Sequence, residues 1–164
     1  MSAEFETAKK RAMYLLGGKD YSKKELRDKL LKNYSPETCE AVIEKMSEYG
    51  FLDDERYAKK LARKYILVQK YGKTRAKMMM IQKGLGPSLA DEALRQYSTD
   101  DLITEIVGII EKKYYDRLFI EGLEGKKELQ KVMASLARRG YGFEEIKKAV
   151  SIVKSEADFD FYED

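Results

Sequence analysis

The chain has 164 residues, with 32 Lys+Arg, 29 Asp+Glu, one Cys, two Pro and neither His nor Trp. Without His there is no Ser-His-Asp or Cys-His dyad and no imidazole base, and a single Cys closes neither a zinc site nor an internal disulfide. No apolar run approaches the ~20 residues of a membrane span, and the opening residues lack the apolar core of a signal peptide, so a soluble cytoplasmic protein is expected.

Helices account for almost all of the chain, since Pro is scarce and Lys, Glu, Leu and Ala abound. A first helix over about 4–16 stops at Gly17-Gly18. A second starts at Ser22, where Ser22 and Glu25 have capping-box spacing and Tyr21 and Leu26 are placed as a hydrophobic staple. Ser35-Pro36 opens a third, with Cys39, Val42, Ile43 and Met46 on its apolar face and Gly50 at its end. The acidic run Asp53-Asp54-Glu55 caps a fourth, whose apolar stripe is Tyr57, Leu61, Tyr65 and Val68. A fifth runs from about Lys73 to Lys83 and ends at Gly84. A sixth follows Gly86-Pro87, with Ser88 and Asp91 as its capping pair. Ser98 to Asp101 caps a seventh, carrying Leu102, Ile106, Ile109 and Ile110. The stretch around Gly122 and Gly125 reads as a loop. An eighth helix carries Leu129, Met133 and Leu136 and stops at Arg139-Gly140. A ninth carries Ile146, Val150 and Val153. From Ser155 onward five acids and no base remain, an acidic tail over 155–164.

The second, fifth and eighth helices begin alike, at Ser22, Gly72 and Gly125, about 50 residues apart. This spacing predicts an all-α array over 1–154 of three tandem three-helix repeats, about 4–50, 53–97 and 99–154, with about nine helices. Helix-turn-helix-like units would then stack into an elongated, curved array.

The segments Ser22–Tyr34 (SKKELRDKLLKNY), Ile43–Ala62 (IEKMSEYGFLDDERYAKKLA), Gly72–Leu85 (GKTRAKMMMIQKGL) and Leu136–Val150 (LARRGYGFEEIKKAV) together resemble the RecX family of bacterial recombinase regulators. The most specific piece is Gly50-Phe51-Leu52-Asp53-Asp54-Glu55-Arg56-Tyr57-Ala58. The resemblance covers about 8–153. It implies three tandem three-helix repeats and binding to RecA-type recombinase filaments on single-stranded DNA, which modulates DNA repair and the SOS response. It implies no catalytic residue, metal or cofactor.

The residues add a charge argument of their own. Net charge is only +3, but residues 1–98 carry a net +7 and residues 99–164 a net −4. From Arg56 to Ala90 there are ten bases and no acid. At ~100° per residue, Arg56, Lys59, Lys60 and Arg63 fall opposite the apolar stripe of the fourth helix. Lys64, Lys70, Lys73, Arg75 and Lys77 extend this basic region, which suits DNA phosphates or an acidic filament face. Double-stranded DNA is a further candidate ligand, and a monomer is expected. Asp53 to Glu55 is read as a helix cap rather than a metal cluster, because consecutive acids at a helix start diverge. Cys39 is read as a buried small hydrophobe, and at least one of Met78, Met79 and Met80 as core. Tyr34, Tyr57 and Tyr65 are read as packing residues and Tyr71 as a contact residue. Two other classes remain open: an independent helical DNA-binding module, and a carboxylate-dependent nuclease, for which no convergent acid set is visible.

Overall fold

A computed structural model describes residues 2–163, with side chains described over 2–158. Helix α1 spans Ala3–Gly18, α2 Lys23–Leu31, α3 Pro36–Glu48, α4 Asp54–Arg63, α5 Lys73–Gln82, α6 Pro87–Leu94, α7 Thr99–Ile109, α8 Gly122–Arg138 and α9 Phe143–Glu163. Among the described residues there is no strand. The all-α, three-by-three organisation expected from the repeats is the observed one.

The chain divides into two units. One comprises the chain up to Ala62 together with Lys77–Ala93. There α1 and α2 pack on α3. Phe5, Ala8, Tyr21, Leu26, Leu30, Cys39, Val42, Ile43, Met46 and Leu52 form its core, so Cys39 is indeed an interior hydrophobe. Tyr34 packs against this core, and Met80 is also buried, while Met78 is exposed. The other unit comprises Arg63–Ala76 and the chain from Leu94 onward. There α9 packs on α7 and α8, burying Leu102, Ile103 and Ile106 on α7 and Ile146, Val150 and Val153 on α9.

Several helix starts follow directly from their cap residues. Ser22 Oγ accepts the Glu25 amide and Glu25 Oε1 accepts the Ser22 amide, both at 3.0 Å. Ser98 and Asp101 close the same reciprocal box on α7. Ser35 caps α3, with Pro36 in the first turn. The end of α5 is equally local. Gly84 has φ +92°, and Leu85 N–H returns to the Met80 carbonyl while Gly84 N–H returns to Ile81. This is a Schellman closure, which needs a left-handed residue after the last helical turn. Gly140 (φ +97°) closes α8 in the same way, and Gly50 (φ +76°) closes α3. At the equivalent end of α2, Asn33 keeps negative φ, and the Asn33 and Tyr34 amides both turn back to the Leu30 carbonyl.

Four sequence expectations are corrected. The stretch at Gly122 and Gly125 is the start of α8, not a loop. Gly125 is buried there because the Ile120 carbonyl oxygen lies where its Cβ would be, 1.8 Å away. Val68 leaves the apolar stripe and is 71% exposed. The helix widens into a π turn over Lys64–Val68, with the Gln69 amide reaching back five residues to Lys64, and this rotates Val68 off the buried face while Tyr65 and Ile66 stay inside. Ser88 does not mark the start of α6: the helix begins at Pro87, the Gly86 carbonyl takes the Ala90 amide, and Asp91 pairs with Lys77. Finally, α9 runs on through the segment expected as a tail. The side chains of 159–164, which carry much of that acidic and aromatic pattern, lie outside the described residues.

Candidate nucleic-acid interface

Asp53 Oδ1 accepts the Arg56 amide at 3.1 Å and so caps α4. Asp54 Oδ1 accepts the Lys23 amide at 2.9 Å, at the start of α2. These acids serve backbone donors at two helix starts, as their place in the sequence suggests. Among the described residues no group of three or more acidic or Cys side chains is arranged to hold a metal ion.

With Tyr57, Ala58, Leu61 and Ala62 buried, α4 turns Arg56, Lys59 and Lys60 outward, and all three are exposed. They are less bare than an acid-free stretch implies. Arg56 Nη2 donates to the Gly50 carbonyl at 3.0 Å. Lys59 stands 3.9 Å from Glu55, and Lys60 pairs with Asp20 at 3.1 Å. Lys77, in the same unit, pairs with Asp91 at 2.9 Å. The counter-charges come from the turn before α2, from α6 and from the start of α4, which local charge counting misses.

The second unit carries the remaining basic candidates. Arg63 and Lys64 are exposed and have no carboxylate partner among the described residues. Lys70 has φ 59°, ends the π turn, and pairs with Glu105. Lys73 opens α5 and acts electrostatically on Glu145, whose carboxyl is pushed up by burial and held back by the Gly142 amide and Lys73. Arg75 lies over the Tyr71 ring at 4.2 Å, and Tyr71 stacks on Tyr65 with centroids 6.0 Å apart. Tyr57 and Tyr65 are buried, as expected of packing residues, and Tyr71 is half-exposed.

A repeated joint positions these groups. In the first unit, Ser22 Oγ donates to the Lys83 carbonyl at 2.5 Å, and a Cβ on Gly84 would meet Ser22 Oγ at 2.7 Å. In the second unit, the Gly72 amide donates to the Arg139 carbonyl at 2.8 Å, and a Cβ on Gly140 would meet the Arg75 amide at 2.5 Å. Ser22 and Gly72 are equivalent positions, and Lys83-Gly84 and Arg139-Gly140 are equivalent turns. Each turn is seated on the helix start of the repeat before it. At the third equivalent position, Gly125, the chain's own Ile120 fills that place.

Three family models match in order along the chain: the first, second and third three-helix domains of RecX, over residues 8–46, 53–94 and 106–150. The chain belongs to the RecX family. Regulatory protein RecX of Clostridium acetobutylicum is 31% identical over 151 residues, covering 91% of this chain and 70% of that protein. Regulatory protein RecX of Clostridioides difficile is 28% identical over 144 residues, 88% of this chain and 66% of that one. That of Streptococcus thermophilus is 26% identical over 157 residues, 95% and 59% respectively. The chain therefore spans less than two thirds of the length of these last two relatives. The crystal structure of RecX from Lactobacillus salivarius matches with a TM-score of 0.85 at 19% identity, over 94% of this chain and 99% of that one, a likeness of fold.

The RecX domain limits put the Ser22–Glu25 box in the first domain and the candidate basic residues in the second. Arg138 and Arg139 fall in the third RecX domain. Arg139, expected only as part of a turn, also donates from Nη1 to the Gln69 and Lys70 carbonyls at 3.3 and 3.2 Å, a tie that the sequence does not reveal. No helix among the described residues is long and apolar enough to cross a membrane.

Proposed function

We propose that this protein is a non-enzymatic, cytoplasmic regulator that binds RecA-type recombinase filaments on single-stranded DNA and restrains their growth or promotes their disassembly. The observation that carries this reading is the match of all three RecX three-helix domains in order. The exposed cations support it, since Arg56, Arg63 and Lys64 are available to phosphates or to an acidic filament face. It would act as a monomer, its basic residues meeting the nucleoprotein. The test is a recombinase ATPase and strand-exchange assay on single-stranded DNA, titrated with this protein. Substoichiometric inhibition is the expected result. No effect on either activity, alongside binding to bare DNA, would replace this reading with an independent DNA-binding module.

A further inference from the structure

The stretch 50–58 is the part of the sequence most specific to the family, and nearly every residue in it has a task inside the chain. Gly50 closes α3, and Leu52 lies in the core of the first unit. Asp53 and Asp54 accept backbone amides at the starts of α4 and α2. Arg56 donates to the Gly50 carbonyl at 3.0 Å, and Tyr57 and Ala58 are buried. Phe51 differs. It is 49% exposed, whereas the residue after the glycine in the other two closures of this kind is buried, Leu85 at 3% and Tyr141 at 5%. Tyr49, itself exposed, meets Phe51 edge-on, with ring centroids 5.8 Å apart and planes at 68°. Lys9 of α1 and Lys45 of α3 hold their ammonium groups 5.4 and 5.6 Å from the Tyr49 ring centroid. Met13, one turn beyond Lys9, is exposed on the same face of α1. Lys45 is paired with Glu48 at 3.2 Å, but Lys9 and Arg56 have no carboxylate partner among the described residues. An exposed aromatic pair is thus bordered by two cations whose charge no acid offsets.

We infer that Met13, Tyr49 and Phe51 form a docking site for a protein surface that presents an apolar side chain beside a carboxylate. This inference rests on the proposed function in taking that surface to be the protein face of the recombinase filament; the site itself is argued from its own residues. Interfaces between proteins are enriched in Tyr, Phe, Met and Arg, and a few aromatic anchors carry most of the binding energy. Arg56 and Lys9 offer a partner carboxylate charge-assisted donors at the rim. A nucleic acid fits less well. Base stacking needs an open ring face, and the Tyr49 ring already carries ammonium groups while Phe51 meets it edge-on. Met13 has no donor for a phosphate or a base edge. A purely acidic partner would satisfy the two cations and leave Met13 and Phe51 in water. Phe51 is the residue to change, because it is half-exposed and its side chain caps no helix and fills no core.

The experiment measures binding of the full chain to immobilised RecA-type recombinase filaments, and separately to labelled oligo(dT) by fluorescence anisotropy. The proteins are the wild type, Phe51→Ala, Phe51→Tyr and Met13→Ser. Phe51→Ala is expected to weaken filament binding at least about tenfold, as loss of a central aromatic anchor does. Phe51→Tyr should retain binding, and Met13→Ser should weaken it by at least about threefold. Oligo(dT) affinity should stay within about twofold of wild type for all three, because none of them alters a charge. Urea unfolding confirms that each variant is folded, and Met13→Ser tests the site even where Phe51→Ala does not fold. Filament binding by both Phe51→Ala and Met13→Ser within about twofold of a wild type that binds overturns the site. So does an oligo(dT) affinity that falls as far as the filament affinity, which would make the patch a nucleic-acid contact. A wild type that binds no filament refutes the proposed function, and the assigned partner with it.

Discussion

The Gly72 amide donates to the Arg139 carbonyl at 2.8 Å, across a contact so close that a Cβ on Gly72 would stand 2.2 Å from the carbonyl carbon of Gly140. The obstacle is backbone, which cannot swing aside as a side-chain tip would. Gly72→Ala must therefore separate α5 from the α8 turn and lose the hydrogen bond. Overpacking of this kind costs about 1–3 kcal/mol, and the upper end is expected here. Urea unfolding of the purified variant measures it; a loss under about 0.5 kcal/mol would mean the joint relaxes without strain.

Ser22 performs the same task in the first unit with a side chain. Its hydroxyl accepts the Glu25 amide at 3.0 Å and donates to the Lys83 carbonyl at 2.5 Å, and the residue is fully buried. Ser22→Ala removes an N-cap, worth about 0.5–2 kcal/mol, and strips a buried carbonyl of its donor. A combined loss of roughly 2–3 kcal/mol is expected in denaturant titration. Ser35→Ala serves as the comparison, since Ser35 caps α3 without holding a turn of another repeat, and it should cost less.

The two joints explain what could be read in the sequence and what could not. Caps at Ser22, Ser35 and Ser98 and the stops at Gly84 and Gly140 depend on residues three or four positions apart, so they were legible. The reason Gly72 must be glycine was not, because the atoms it meets lie nearly 70 residues further along the chain. The π turn at Lys64–Val68 was hidden too, because Leu61, Tyr65 and Val68 keep ordinary α-helical spacing in the sequence. The basic stripe was legible as charge, yet its pairing with Asp20, Asp91 and Glu105 was not.

Gly108 gives the opposite expectation from Gly72. It lies inside α7, is exposed, and a Cβ there meets nothing within 4 Å. Glycine in a helix interior costs about 0.5–1 kcal/mol relative to alanine, chiefly through backbone entropy. Gly108→Ala should raise stability by about that amount and leave oligo(dT) binding unchanged. Thermal and urea unfolding read the first, anisotropy the second; destabilisation would indicate an undetected close contact.

Glu4 carries a pH signature. The Ser35 amide, which it accepts at 2.8 Å, and then the Thr38 hydroxyl at 2.9 Å hold its carboxyl below the usual 4.5. A group with a lowered folded value adds stability that is present above 4.5 and is lost as pH falls through the folded value. The gap in Tm between wild type and Glu4→Gln should thus be widest near neutrality and close below pH 4.5. A gap that stays constant or widens on acidification would contradict the assigned hydrogen bonds.

The basic residues differ in how much of their field is already offset. Lys60 and Lys77 sit at 3.1 and 2.9 Å from Asp20 and Asp91, whereas Arg63 and Lys64 are exposed with no carboxylate partner among the described residues. A phosphate approaching Lys60 or Lys77 must compete with a carboxylate, while one approaching Arg63 or Lys64 meets the full charge. Charge reversal at Arg63 or Lys64 should therefore weaken oligo(dT) binding by at least about threefold more than reversal at Lys60 or Lys77. Surface ion pairs contribute about 0–1 kcal/mol, so all four variants should stay folded by circular dichroism. Equal losses at all four would mean that binding responds to summed charge rather than to particular residues. No loss at any of them would mean that DNA is held by other residues, because reversal at a contacted cation must lower both affinity and its salt dependence.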